Sequence, residues 1–189
     1  KVAELREIFT GRDVVYIYHN QIDARGDKPS TENEVFSACE EAIEEIYALI
    51  KRLSTSANTV HFIVTADHGF LYQRDKLRES DKIGSIASRE GAHIGKRYCI
   101  ADQPVAAEGV ISLPLDAVLH NGDAQILSFP LGSDVFKTAG GGMNYVHGGS
   151  SPQEIIVPVI DVKTEKGRIE TKTAQIALVS LANKITNLI

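Results

Sequence analysis

The sequence predicts an α/β domain in which a parallel β-sheet is flanked by helices, followed by the start of a β-rich region. Residues 13–18 and 59–65 are apolar, β-branched and aromatic runs typical of strands buried on both faces. Between them, residues 31–53 place apolar side chains at helical spacing along one face. A strand, a helix and a second strand in this order form a βαβ unit, whose two strands lie parallel.

The helices follow from apolar spacing and from a start signal. Apolar residues at 2, 5, 8 and 9 predict a short amphipathic helix over residues 2–9. Thr31 is followed three residues later by Glu34, the pattern of a capping box, which predicts that the long helix begins there. Cys39 falls on the apolar face of that helix, so we expect its thiol to be buried.

The second half of the chain predicts shorter elements. Residues 74–96 are charged and contain glycine, which predicts a mobile excursion. Further strands are predicted over residues 97–100, 110–113, 125–129 and 154–160. Pro158 places the last of these at an edge or exit position. Loose alternation over 168–181 indicates the start of a β-rich appendage, so we divide the chain into a domain over 1–160 and an appendage over 161–189.

Composition excludes several classes of protein. The 189 residues, 43% hydrophobic and 24% charged, suit one globular domain or one domain with part of another. Two cysteines are too few for a secreted disulfide scaffold and indicate a reducing cytoplasm. No apolar run reaches the roughly 18–20 residues of a membrane span. A net charge of −5 argues against a general nucleic-acid clamp but allows a phosphate substrate held by metals.

The two ends of the sequence read as internal positions. The chain opens on Lys1, in what already resembles the middle of a domain, and it closes on Leu188 and Ile189 without a polar tail. These features predict that the chain is a piece of a longer protein.

Two polar loops follow the two predicted strands of the βαβ unit, at residues 19–27 and 66–70. Because the carboxyl ends of parallel strands meet at one edge of a sheet, we expect these loops to be neighbours. In the second loop, Asp67 and His68 offer an oxygen and a nitrogen donor, and Gly69 allows a turn tight enough for both to reach one divalent cation. A helix cap or surface turn is an alternative for the same residues.

Further candidate ligands come from the first loop and from a glycine-rich segment. Asp23 and Asp27 are carboxylates four residues apart that could enclose one cation, although such residues are also typical of a solvated turn. His147 lies between two glycine stretches that would let the backbone approach a site closely, and an ordinary loop histidine is the alternative. His19, close to Asp23, could orient a ligand carboxylate as a second-shell group.

Three segments together resemble a known family. They read YHNQIDARGD at 18–27, TADHGFLY at 65–72 and NYVHGG at 144–149, and their order and spacing are similar to those of the PglZ family. PglZ proteins belong to the alkaline phosphatase superfamily and occur in bacterial phage-exclusion (BREX) systems. The resemblance extends over about residues 13–160, and it implies a partial alkaline-phosphatase-like core.

The resemblance implies a site with two divalent cations on either side of a phosphate. Asp23, Asp27 and His147 would hold the first cation, and Asp67 and His68 would serve the second. Asp27 stands where most members of the superfamily have histidine. The extra oxygen ligand makes Mn²⁺ or Mg²⁺ plausible beside Zn²⁺.

The resemblance also implies a metal-dependent phosphoric-ester hydrolase, a phosphatase or phosphodiesterase, of a cytoplasmic anti-phage defence system. Its substrate would be a phosphate ester, nucleotide or nucleic acid, and its partners other BREX proteins, such as the ATPase and the methyltransferase. The superfamily's Ser or Thr nucleophile is expected upstream of Val14, and residues 1–13 offer no suitable candidate. The chain alone is therefore expected to be inactive, or nearly so.

Two alternatives remain open at this point. The first is a non-catalytic scaffold or assembly module of the same defence complex. The second is a relative of the phosphoglycerate mutases or sulfatases, which would use the same metal ligands on another substrate. The residues around Asp67 and His147 are more similar to those of the PglZ family than to those of the phosphoglycerate mutases or sulfatases.

Overall fold

A computed structural model describes residues 2–84, 91–138 and 144–165, which form a mixed α/β structure. The helices are α1 (Val2–Phe9), α2 (Gln21–Gly26), α3 (Val35–Ser56), α4 (Asp116–Leu119) and α5 (Pro152–Ile155). The strands are β1 (His61–Thr65), β2 (Leu71–Tyr72), β3 (Lys82–Ile83), β4 (His93–Ile94), β5 (Cys99–Ala101), β6 (Val110–Pro114), β7 (Ile126–Pro130), β8 (Val135–Phe136), β9 (Tyr145–Val146) and β10 (Val159–Lys163). Single 3₁₀ turns lie at Glu32–Glu34 and Glu79–Asp81.

The strand predicted over residues 13–18 is wrong for this structure. The segment has no strand pairing among the described residues, and Tyr16 and Tyr18 are 81% and 90% exposed. A strand needs a neighbour to satisfy its backbone groups. β1 instead pairs antiparallel with β10, with Thr65 opposite Val159. The predicted parallel sheet is therefore not seen in the described part of the chain, where only the two-residue pair of β3 and β8 is parallel.

The long central helix is confirmed, but it begins differently from the prediction. One 3₁₀ turn precedes α3, and the hydroxyl of Thr31 donates to the carbonyl of Arg25 over 2.8 Å instead of capping the helix. The predicted capping box is therefore wrong. The same hydrogen bond joins the start of α3 to α2.

The apolar face of α3 is only partly covered by the described residues. Four of its residues are buried: Val35, Ala38, Ala42 and Leu53. Phe36, Ile43 and Tyr47 are exposed. Cys39 is half-buried rather than fully buried, and burial raises the pKa of its thiol.

Residues 93–130 form a four-stranded antiparallel sheet in the order β4, β5, β7, β6. Its strands β5, β6 and β7 confirm the predictions at 97–100, 110–113 and 125–129, with end shifts of a few residues. A small hydrophobic core lies against this sheet and contains Cys99, Ala101, Val105 and Phe136.

The strand predicted over 154–160 is replaced by two elements. Helix α5 ends at Ile155, and β10 begins at Val159, directly after Pro158. The loop predicted over 19–27 likewise contains a helix, α2. The predicted appendage strands at 168–181 and the glycines at 140–142 lie outside the described residues. Within the described part of the chain, no helix combines the length and apolarity required for a membrane span.

Candidate metal centre

Helix α2 presents Asp23, and Asp27 follows directly after its end. The helix is held against α3 through Glu41, whose carboxylate accepts hydrogen bonds from Arg25 Nη1 over 3.1 Å and from Gln21 Nε2 over 2.6 Å. The hydrogen bond from Arg25 lowers the pKa of Glu41. Asp23 is therefore carried on a short helix whose position is fixed by α3.

The loop between β1 and β2 presents Asp67 and His68. Its position is set at Gly69, whose N–H donates to the carbonyl of Glu154 in α5 over 2.8 Å. A Cβ atom on Gly69 would lie 2.0 Å from the carbonyl oxygen of Gln153, so only glycine fits at this contact. His68 Nδ1 lies 3.0 Å from the carbonyl oxygen of Gly69, which leaves Nε2 to face the other candidate ligands.

His147 comes directly after β9 and reaches the same place by strand pairing. β9 is antiparallel to β2, with Val146 opposite Leu71. The turn after His147 includes Gly148, whose φ of +93° favours glycine. The imidazole rings of His68 and His147 are stacked, with centroids 4.1 Å apart and planes 4° from parallel.

Asp23, His68 and His147 form the group best placed to share one ion. One donor atom from each lies within 4.8 Å of the other two, and Asp23 Oδ2 is 3.7 Å from His68 Nε2. Two ligands bound about 2.1 Å from one cation lie about 3–4 Å apart, so these side chains need only small rotations to meet it. One carboxylate and two imidazoles suit Zn²⁺ or Mn²⁺.

Asp27 and Asp67 border this group. Asp27 Oδ1 lies 3.5 Å from His147 Nε2, and Asp67 Oδ2 lies 3.9 Å from His68 Nε2. Both carboxylates are open to solvent, with side chains 57% and 85% exposed. The tightest group thus combines members of the two ligand sets that the resemblance implies, and the assignment of each residue to one cation stays a prediction.

His19 lies just before α2 in the chain. Its Nε2 atom is 2.8 Å from Glu45 Oε2 on α3, so this hydrogen bond goes to the helix rather than to Asp23. The second-shell role of His19 stays a prediction.

Tyr145 was not singled out from the sequence, although it contacts a candidate ligand directly. It is 1% exposed, and its hydroxyl donates a hydrogen bond to Asp23 Oδ1. Burial, followed by this hydrogen bond, raises the pKa of Tyr145, so the hydroxyl keeps its proton. Its ring lies where a Cβ on Gly26 would come within 2.7 Å, which explains a glycine at the end of α2.

Sequence reasoning also missed a buried ion pair beside the site. Arg97 and Glu154 are 0% and 2% exposed, and two hydrogen bonds of 3.0 and 2.8 Å join them. The Glu154 carboxylate also accepts the N–H of Gly149 over 2.9 Å and the hydroxyl of Ser151 over 2.7 Å. Burial would raise the pKa of Glu154, but hydrogen bonds from Arg97, Ser151 and Gly149 outweigh it and hold the pKa below its ordinary value.

Glu154 therefore contacts both histidine loops. Its backbone carbonyl holds Gly69, next to His68, and its carboxylate holds Gly149, two residues after His147. A signal for this helix was present in the sequence. Ser151, Pro152 and Glu154 follow the pattern of a helix N-terminus, with proline at the first helical position and Glu three residues after Ser.

Comparison with known proteins identifies what this chain is similar to. Residues 1–162 match the family model of the BREX system PglZ alkaline phosphatase-like domain. The alkaline phosphatase-like protein PglZ of Bacillus cereus (strain H3081.97) is 39% identical over 187 residues, 97% of this chain and 22% of that protein. The alkaline phosphatase-like protein BrxZ of Escherichia coli O9:H4 (strain HS) is 35% identical over 164 residues, 86% of this chain and 19% of that protein.

The chain thus spans about a fifth of the length of these relatives. No solved structure gives a significant match. The resemblance predicted from the three sequence segments is confirmed.

Proposed function

The chain belongs to the PglZ family of alkaline phosphatase-like domains, and from that premise we propose that it supplies the metal-binding part of a phosphoric-ester hydrolase in a BREX anti-phage system. The observation that carries the proposal is the convergence of Asp23, His68 and His147, from three distant stretches, within 4.8 Å. Because the chain spans about a fifth of its relatives, the hydrolase activity is proposed for the protein as a whole.

Five side chains at the candidate site can serve as ligands for cations. Asp23, His68 and His147 provide the closest donors, while Asp27 and Asp67 add carboxylates at the open side of the group. The hydrogen bond between His68 Nδ1 and the carbonyl of Gly69 sets the ring so that Nε2 is the donor. When bound, Zn²⁺ or Mn²⁺ supplies Lewis-acid polarisation of a phosphoryl oxygen.

The residues also favour access for a phosphate ester. The Asp67 side chain is 85% exposed, so this side of the group faces solvent. Several acidic side chains would repel a phosphate in the absence of cations, since like charges a few ångströms apart are unfavourable. Cation binding by these residues therefore precedes productive substrate binding in the proposed mechanism.

A metal titration tests the proposal directly. Calorimetry with Mn²⁺ and with Zn²⁺ should give binding to the purified protein, and His68→Gln and His147→Gln should each weaken it at least about tenfold. His61→Gln is the matched control, because His61 also lies beside a carboxylate, 2.8 Å from Asp161 Oδ1, but at the opposite end of β1.

An activity assay follows on the full-length protein. Hydrolysis of p-nitrophenyl phosphate or bis(p-nitrophenyl) phosphate should require Mn²⁺ or Zn²⁺ and should be lost in Asp67→Ala. Equal metal affinity in the wild type and both histidine variants would overturn the metal site. Metal binding without hydrolysis of either ester would overturn the hydrolase and leave the metal site intact.

A non-catalytic assembly role is a second candidate, favoured by the exposed apolar segment at 14–18. Val14, Tyr16, Ile17 and Tyr18 are each more than half exposed, which is typical of a surface that contacts another polypeptide. The family model that the chain matches is that of a BREX-system domain, so other BREX proteins are the partners we propose. Phage protection that survives Asp67→Ala but not Tyr16→Asp would favour this role.

A further inference from the structure

Tyr145 connects the interior of the protein to one candidate ligand. Its ring packs against Phe70, with centroids 4.8 Å apart, and covers Gly26 at the end of α2. Strand pairing of β9 with β2 fixes its backbone. The ring is buried and the backbone is paired, and the hydroxyl donates its hydrogen bond to Asp23 Oδ1.

The two carboxylate oxygens of Asp23 therefore have different neighbours. Oδ1 accepts the hydrogen bond from Tyr145, while Oδ2 lies 3.7 Å from His68 Nε2, on the side of the histidine pair. An oxygen that accepts a phenol hydrogen bond has less electron density to offer a cation, and its carboxylate is held against rotation. Only Oδ2 is left free to face an ion.

We propose that Tyr145 is a positioning residue that holds Asp23 as a one-oxygen ligand and so biases the site against cations that prefer chelating carboxylates. This inference rests on the metal site under the proposed function and adds a determinant of metal choice. Ca²⁺ readily takes both oxygens of a carboxylate and six to eight oxygen ligands in all. A site with a one-oxygen carboxylate and two imidazoles instead suits Mn²⁺ or Zn²⁺.

Tyr145→Phe removes the hydroxyl and keeps the ring that packs on Gly26 and Phe70. Tyr72→Phe is the matched control, because Tyr72 lies opposite Tyr145 in the same strand pair, and its hydroxyl has no hydrogen bond to any described residue. The dissociation constants for Mn²⁺ and Ca²⁺ are measured by calorimetry or competition on the purified protein. Thermal melting in EDTA, before metal is added, reports folding.

Loss of the hydroxyl should weaken Mn²⁺ binding by about 10- to 100-fold, the range found for partners of metal ligands. The ratio of the Ca²⁺ to the Mn²⁺ dissociation constant should fall in the same variant, since Asp23 can then rotate and chelate. A merely structural role would weaken both ions equally and leave the ratio unchanged. In an Asp23→Asn background, Tyr145→Phe should add no further change.

Mn²⁺ affinity and ion ratio equal to those of Tyr72→Phe would overturn the inference and leave the metal site standing. Loss of the cooperative melting transition in EDTA would assign the Tyr145 hydroxyl a structural role and overturn the inference as well. Failure of the wild type to bind Mn²⁺ would overturn the proposed site and the inference together.

Discussion

Replacing Glu154 by glutamine removes one charge from the most buried ion pair described in the structure while it keeps the size of the side chain. The change leaves Arg97, which is fully buried, without its counter-charge. Removing one partner of a buried pair costs about 3–5 kcal/mol, because the remaining charge has no solvent around it. The hydrogen bonds from Gly149 and Ser151 also weaken, since an amide offers them only one oxygen.

We therefore expect Glu154→Gln to lower the free energy of unfolding by about 3–5 kcal/mol, a large share of the 5–15 kcal/mol typical of a domain. Urea denaturation followed by circular dichroism measures it. Glu79→Gln is the matched control: Glu79 also pairs with two cations, Lys82 at 2.7 Å and Lys137 at 3.1 Å, but is 72% exposed. Exposed pairs contribute about 0–1 kcal/mol.

The pH dependence supplies a second test of the same pair. Because the folded state holds the pKa of Glu154 below its ordinary value, the pair stabilises the protein above the unfolded pKa and this contribution is lost as pH falls through the folded pKa. Between neutral and acid pH, the stability of Glu154→Gln should thus change less than that of the wild type. A loss below about 1 kcal/mol at neutral pH, equal to that of Glu79→Gln, would refute the reasoning.

Gly69→Ala requires a shift of about 1 Å away from the carbonyl of Gln153, so it should destabilise the protein by about 1–3 kcal/mol in denaturant titrations. Gly84→Ala, whose Cβ would meet open space, is the control and should change stability by less than about 0.5 kcal/mol. Gly26→Ala places a methyl group 2.7 Å from the Tyr145 ring and should weaken Mn²⁺ binding in calorimetry, and an unchanged affinity would contradict the contact. Mn²⁺ at 100 times its dissociation constant should raise stability by about 2.7 kcal/mol, and EDTA should reverse the gain; no shift of the denaturation midpoint would argue against the site.

The sequence predicted elements well where local pattern and pairing agree. The strands β5, β6 and β7 belong to one antiparallel sheet, with β7 between the other two, and each was found as a run of β-prone residues between turns. The long helix α3 was found from its apolar spacing alone, but its start was not, because Thr31 makes a tertiary hydrogen bond to Arg25 instead of a local one.

The failures come from contacts that no local pattern encodes. The segment at 13–18 has the composition of a buried strand, yet composition does not supply a partner strand, and the described residues provide none. Likewise, Val159 pairs with Thr65 across nearly a hundred residues, and this antiparallel pairing cannot be read from either strand alone. Pro158 was predicted to lie at an edge or exit position of a strand over 154–160, but it lies outside any strand, directly before β10.

Three of the predicted ligands, Asp23, His68 and His147, lie close together in the structure, but through contacts other than those that the sequence predicted. The expectation that the loops at 19–27 and 66–70 are neighbours agrees with the 3.7 Å between Asp23 and His68. The parallel sheet edge that was expected to bring the two loops together is not formed by the described residues. Instead, α2 packs against α3, and the Tyr145 hydroxyl reaches Asp23 on α2. Nothing in the sequence distinguishes Tyr145 from another strand tyrosine, so this role could not be predicted.

The attachment of Glu154 to both histidine loops has a mechanical consequence. A displacement of α5 moves Gly69 through the backbone and Gly149 through the carboxylate, so the two imidazoles travel as a unit. When an ion binds one imidazole, it therefore also orders the other. Less conformational entropy is then lost when the second imidazole binds the ion. If the proposed site binds a metal, uptake should for that reason be all-or-none, with no long-lived state in which only one histidine is bound.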